Sequence, residues 1–160
     1  MKIKYLLLAI GLLCSSLNYA QNNTFKSLFD KYENEDNVTI VSISKNMFNL
    51  IPGNIKTGNV DLKNVLPKIE SLLIITSEKS AVKQKMSAEF KSLIEKNNHY
   101  EELMRVKSDK SNVTFNIRKS GNLINELIML VNDEDDFVAI QLLGNFTIED
   151  IQKISQDSQK

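Results

Sequence analysis

The stretch from Val113 to Ile154 constrains the fold of this chain more than any other. Val113, Phe115 and Ile117 alternate with Thr114, Asn116 and Arg118, and a period of two predicts a strand with one apolar and one polar face. Ser120-Gly121-Asn122 follows, and Gly and Asn tolerate the positive φ of a tight hairpin. Leu123 to Val131 is apolar except for Asn125 and Glu126, and Phe137 to Leu143 is apolar except for Gln141. Such runs predict strands covered on both faces, or inner strands of a sheet. On that reading Ile140 is a core residue, and Ile140→Asp unfolds the domain. Asn132-Asp133-Glu134-Asp135-Asp136 predicts a solvated hairpin loop between the two runs. Beyond Phe146, Thr147 caps a helix, and Glu149 and Asp150 suit the positive end of its dipole. Ile148, Ile151 and Ile154 share one face of that helix.

The preceding residues predict helices and further strands. Phe25, Leu28, Phe29 and Tyr32 fall at helical spacing within Thr24 to Glu33. Val38 to Ser44 is β-branched and alternating, hence a strand. Ser44 to Leu50 predicts one or two helical turns, Ile51 to Asn59 a loop, Asp61 to Leu66 a short helix ending near Pro67, and Leu72 to Thr76 a buried strand. Ser77 to Asn97 is the longest predicted helix, with an apolar stripe of Val82, Met86, Phe90, Leu93 and Ile94 and a lysine-rich wet side that reads as solvated. Tyr100 to Lys107 is a strand turned by Ser108 to Asn112. The expected fold is α+β: a mostly antiparallel sheet with a C-terminal four-strand meander and helices packed on one face.

Met1 to Ala20 has Lys2 and Lys4, an apolar run from Tyr5 to Leu13, and a small residue at its end. That pattern predicts a secretory signal peptide, residues 1–20, leaving 21–160 as a single α+β domain that starts at Gln21. The apolar run is too short to span a membrane. Cys14 is the only cysteine. A lipidated cysteine needs a small residue before it, and Leu13 is not small, so Cys14 goes with the leader and no stable membrane anchor remains after cleavage. The expected location is periplasmic or extracellular, in preference to an outer-membrane lipoprotein held through Cys14. A mature chain without cysteine enters an oxidising compartment with no disulfide and relies on its core. Without Lys2 and Lys4 it carries 18 basic against 20 acidic side chains, a net of −2, which gives no electrostatic reason to bind nucleic acid. The 18 lysines against 2 arginines, with 18 asparagines, reflect an AT-rich genome.

Little catalytic chemistry is written in the sequence. The one histidine, His99, has no histidine or cysteine partner and follows a helix end, where a cation is favourable; it reads as structural. No phosphate-cradling glycine loop and no nucleophile or zinc-protease motif occurs. The run Asp133 to Asp136 fails the calcium-loop pattern, which needs a glycine at the sixth position. No catalytic residue, metal or cofactor is therefore expected, and the chain is not expected to be an enzyme, although carboxylates such as Glu70, Glu126 and Glu149 could pair in space. Met47, Phe48, Leu50 and Ile51 stand beside Pro52 and Gly53 and allow two readings: a plug at one end of the core, or a contact surface for a partner. The reading adopted buries Phe48 and leaves Met47 or Ile51 partly exposed and available.

Val41-Ser42-Ile43-Ser44-Lys45 with Met47-Phe48, Leu72-Leu73-Ile74-Ile75-Thr76-Ser77-Glu78, and Phe137 through Ile151 together resemble the domain of unknown function 4252 family, small exported proteins of Gram-negative bacteria. The resemblance spans most of the mature chain. It implies export and a single α+β domain, and carries no catalytic residues. Members are sometimes encoded near extracytoplasmic sigma-factor systems. The expected function is an exported non-enzymatic envelope protein, an interaction module for an unidentified envelope protein in signalling or stress response. The alternative is a small-ligand binding protein with a pocket between sheet and helices.

Overall fold

Phe25, Phe29 and Tyr32 recur at helical spacing and form the buried stripe of α1 (Thr24–Tyr32). The computed structural model describes residues 24–51, 56–57, 60–61 and 65–150; the leader Met1–Ala20 with Cys14, and the isoleucines Ile151 and Ile154, lie outside them. After α1 come β1 (Thr39–Ser44), α2 (Lys45–Leu50), a minimal hairpin of β2 (Lys56–Thr57) and β3 (Val60–Asp61), and a 3-10 turn (Leu66–Lys68). Then follow β4 (Ile69–Ser77), α3 (Ser80–Lys96), β5 (Glu101–Lys107), β6 (Ser111–Ser120), β7 (Leu123–Asp133) and β8 (Phe137–Phe146).

Two stretches differ from the sequence reading. Lys56–Thr57 pair with Val60–Asp61, whereas Ile51 to Asn59 was expected to be loop. Of the helix expected over Asp61 to Leu66, Asp61 instead ends β3 and Leu66 opens a 3-10 turn with Pro67 near its start, the place where proline's fixed φ and missing N–H are tolerated; residues 62–64 lie outside the described residues.

Six strands form one antiparallel sheet in the order β1-β4-β8-β7-β6-β5. The two most apolar runs, β7 and β8, are therefore central, and β5 to β8 are the meander the short connections require. Gly121, with φ +60°, starts the two-residue turn between β6 and β7, a conformation glycine adopts without penalty. At Gly144 a Cβ would collide with the Lys68 carbonyl and the Phe146 ring, so only glycine lets β8 pass that close to the 3-10 turn. α3 carries the chain from β4 across the sheet to the far edge strand β5.

Along β7 and β8, buried residues alternate with half-buried ones. One face meets α1 and α3. There Phe25, Phe29, Tyr32 and Phe137 ring Phe90, and Ile75, Met86, Ile128 and Ala139 complete a core with no accessible surface. On the opposite face a second, smaller core gathers Phe48 of α2, Val65, Leu66, Ile69, Ile117, Ile124 and Phe146. It closes only the end of the sheet near the β6–β7 turn. Towards the β7–β8 turn the register places Val113, Phe115, Met129, Val131, Val138, Ile140 and Ile74 on this same face, all half-buried. Ile140 is thus not the twice-covered core residue expected from its apolar run, because the two long helices supply a layer on one side only.

The C-terminal cap forms as its residues require. The Asp150 N–H donates to Thr147 Oγ1 at 3.2 Å and the Thr147 N–H to Asp150 Oδ2 at 2.8 Å, a reciprocal capping box. Ile148 in the first turn beyond it is exposed, and the other two isoleucines expected on its helical face lie outside the described residues.

Candidate functional site

Residues directly opposite in neighbouring strands point to the same face. On the helix-bearing face this places Ser71, Leu143, Glu126 and Arg118 in one row across β4, β8, β7 and β6, with Ser42, Leu73 and Gln141 in the next. α1 and α3 cover the other end of that face. Over these two rows the walls are Phe25 and Lys26 from the start of α1 and Asn97, His99 and Tyr100 from the α3–β5 connection. They enclose a pocket of about 490 Å³, within the range of small-molecule sites.

Glu126 organises the floor. Its side chain is only 3% exposed. It accepts from Arg118 Nε at 2.8 Å, from Gln141 Nε2 at 2.5 Å and from the Tyr100 phenol, so a buried carboxylate that would otherwise be very costly is satisfied by three donors. The Tyr100 hydroxyl is in turn held well above the usual phenol range, by burial first and then by the charge and hydrogen bond of Glu126, with Arg118 acting in the opposite sense.

Gln141 is the exception within this network. It is 5% exposed, and its Oε1 is buried with no hydrogen-bond partner. The amide cannot resolve this by turning over, since that would set its oxygen against the Glu126 carboxylate, acceptor to acceptor. A buried acceptor without a donor costs about 1–3 kcal/mol, and Gln141 is one of the residues that line the pocket.

The residues expected as a contact surface divide as anticipated in burial. Phe48 is buried and Ile51 half-buried, while Met47 is 55% and Leu50 76% exposed. His99 lies at the pocket wall, its own N–H donating to Asn97 Oδ1 at 3.1 Å. Of the carboxylates, Glu70 pairs with Lys45 at 2.7 Å and Glu126 with Arg118 at 2.8 Å. The acidic loop is a turn tied by Asp133 Oδ1, which accepts the N–H groups of Asp135 and Asp136 at 2.9 and 2.8 Å, while Lys83 Nζ donates to the carbonyls of Asp133 and Glu134. Among the described residues no group of three or more His, Cys, Asp or Glu is placed to hold a metal ion, and no helix is long and apolar enough to cross a membrane.

Sequence reasoning noted Glu126 as an interruption of an apolar run and as one of several scattered carboxylates, and Gln141 only as an interruption, and did not combine them with Arg118, Tyr100, Ser42 and Ser71. A signal was present: the interruptions sit at positions that β7–β8 pairing brings to one face.

The fold and pocket define a small α+β protein with an open six-stranded antiparallel sheet and a mixed-polarity cavity on its helix-covered side. The family model described as Domain of unknown function (DUF4252) matches residues 32–154, and the chain belongs to that family. No curated protein and no solved structure matches the chain.

Proposed function

We propose that this chain is an exported, non-enzymatic binding module that takes a small ligand in the pocket between the sheet and α1 and α3. The observation that carries this reading is the Gln141 carbonyl, buried, fixed in orientation and unpartnered in a pocket of about 490 Å³. A ligand N–H or O–H is what that atom lacks. Non-enzymatic action is supported by Glu70 and Glu126 each being engaged by a cation. Export and an envelope location are supported by the basic start, short apolar run and terminal Ala20 of the leader. Intact mass of secreted protein should give Gln21 as the first residue; a lipidated Cys14 would move the protein to a membrane.

The binding test uses the protein recovered from its own envelope extract under native conditions. Native mass spectrometry should find a bound small molecule, and Ser42→Phe, a bulky change at an exposed position where the floor reaches the edge strand β1, should abolish it. An undiminished ligand in that variant would place binding elsewhere.

A second reading is favoured by one observation, the exposure of Met47 and Leu50 beside the buried Phe48. In it, α2 contacts an envelope partner, as an interaction module in signalling or stress response would. Leu50→Asp should then release a captured protein without lowering the melting temperature, whereas unchanged capture would remove α2 from the interface.

A further inference from the structure

We infer that the pocket selects a small organic anion bearing an N–H donor beside its carboxylate, as in an N-acylated amino acid or the C-terminal residue of a short peptide. This rests on the pocket being a binding site and adds what it recognises. Three features of the site lead there.

The first is the acceptor. Gln141 Nε2 is committed to Glu126, so its Oε1 can only receive a donor. A ligand offering only acceptors leaves it unsatisfied.

The second is charge. Lys26, Arg118 and Lys119 line the pocket against one carboxylate, Glu126, which already receives three donors. Lys26 and Lys119 pair with Asp30 and Glu101, each at 2.7 Å; these pairs are exposed, contribute little and give way easily. Arg118 uses Nε on Glu126, and its two terminal nitrogens have no hydrogen bond to any described residue. A planar guanidinium edge of that kind matches a carboxylate in two-point contact.

The third is apolar wall. Phe25, Leu73 and Leu143 complete the lining and suit a hydrocarbon side chain. A carboxylate, an adjacent amide N–H and an apolar group on one small scaffold answer all three features.

The test is calorimetric titration with three probes built on one phenylpropanoyl scaffold. N-acetylphenylalanine has both groups, its C-terminal amide lacks the carboxylate, and 3-phenylpropionate lacks the N–H. The first should bind and the other two should be weaker by about tenfold or more, the worth of one buried or charge-assisted hydrogen bond. Arg118→Lys should weaken the first probe and leave the amide unchanged. Gln141→Met should weaken the first and leave 3-phenylpropionate unchanged. Ser42→Phe, which removes no floor contact, should block the first in a protein that melts normally. Equal binding of all three probes overturns the selection for an amide-bearing acid, as does tighter binding of inorganic phosphate, which offers charge without the apolar group. If no probe binds but Ser42→Phe still strips a molecule found on the native protein, the ligand class is wrong and the pocket stands. If Ser42→Phe strips nothing and blocks nothing, both readings fall.

Discussion

The two faces of the sheet differ in their covering and in their polar residues, although the main apolar core lies on the helix-covered one. The helix-covered face carries the polar residues: Gln141, Glu126, Arg118 and Asn116 of the central strands all point to it. The opposite face is apolar from β1 to β5, yet only its end near the β6–β7 turn is closed, by α2 and the 3-10 turn. Towards the β7–β8 turn no described element packs on it, and at its edges Val41, Met104 and Val106 are exposed. Polar groups are ordinarily placed where water can reach them and apolar groups where it cannot. The covered face nevertheless keeps polar side chains beside its apolar core, and Gln141, Glu126 and Arg118 among them line the pocket.

The comparison can be broken first where its energies are largest. Phe90→Ala on the helix side removes the ring that four other aromatics contact and should cost about 3–5 kcal/mol, much of the stability of a domain this size. Ile140→Ala on the opposite face removes a half-buried side chain and should cost only about 1 kcal/mol. Ile140→Asp should yield a folded protein for the same reason. Denaturant melts of the three variants decide this, and a collapse of Ile140→Asp would show that the opposite face is sealed.

Next is the polar floor. Glu126→Leu leaves Arg118, Gln141 and Tyr100 without their shared acceptor and should destabilise by about 3 kcal/mol, as breaking a buried pair does. A neutral result in the same melts would mean that the network is solvated and the pocket shallow.

Alkaline pH probes the helix-covered side alone. Tyr100 and Tyr32 are both raised above the ordinary phenol value of 10.0, by burial first and then by Glu126 and Glu89. A raised acid favours its neutral form in the folded state, so the stability from these phenols is complete below 10.0 and is lost as pH rises above it. Melting temperature should fall beyond that point, and less steeply in Tyr100→Phe. An equal slope in the variant would remove Tyr100 from the buried network.

The smallest effect separates two neighbours in the acidic turn. Asp133→Ser weakens two backbone hydrogen bonds and should cost up to about 1 kcal/mol, on the scale of a lost cap. Asp135→Ser should stay within about 0.5 kcal/mol of neutral. Equal costs would mean that the turn is held by Lys83 alone.

Much of this architecture was legible in the residues. Alternation in Val113 to Arg118, the Gly121 turn and the two apolar runs place the meander and its central strands. The stripe of Met86 and Phe90 places α3. The covering of each face was not legible, since an apolar run such as Val138 to Leu142 reads the same whether its outer side is covered or half open, and layering is set by where helices distant in sequence come to rest. The pocket was hidden for a related reason. Gln141 and Glu126 are 15 residues apart, and only the β7–β8 register brings them together.

The account turns on the sheet being closed on one side and half open on the other, and three methionines report on it directly. Met86 lies in the helix-side core with no accessible surface, Met104 is exposed on the edge strand, and Met129 sits between them on β7, on the opposite face. Hydroxyl-radical footprinting of the folded protein, read by mass spectrometry, should oxidise Met104 fastest, Met129 at a rate within a few-fold of it, and Met86 only on unfolding. Protection of Met129 equal to that of Met86 would contradict the account, because the opposite face would then be covered and the contrast between the two faces lost.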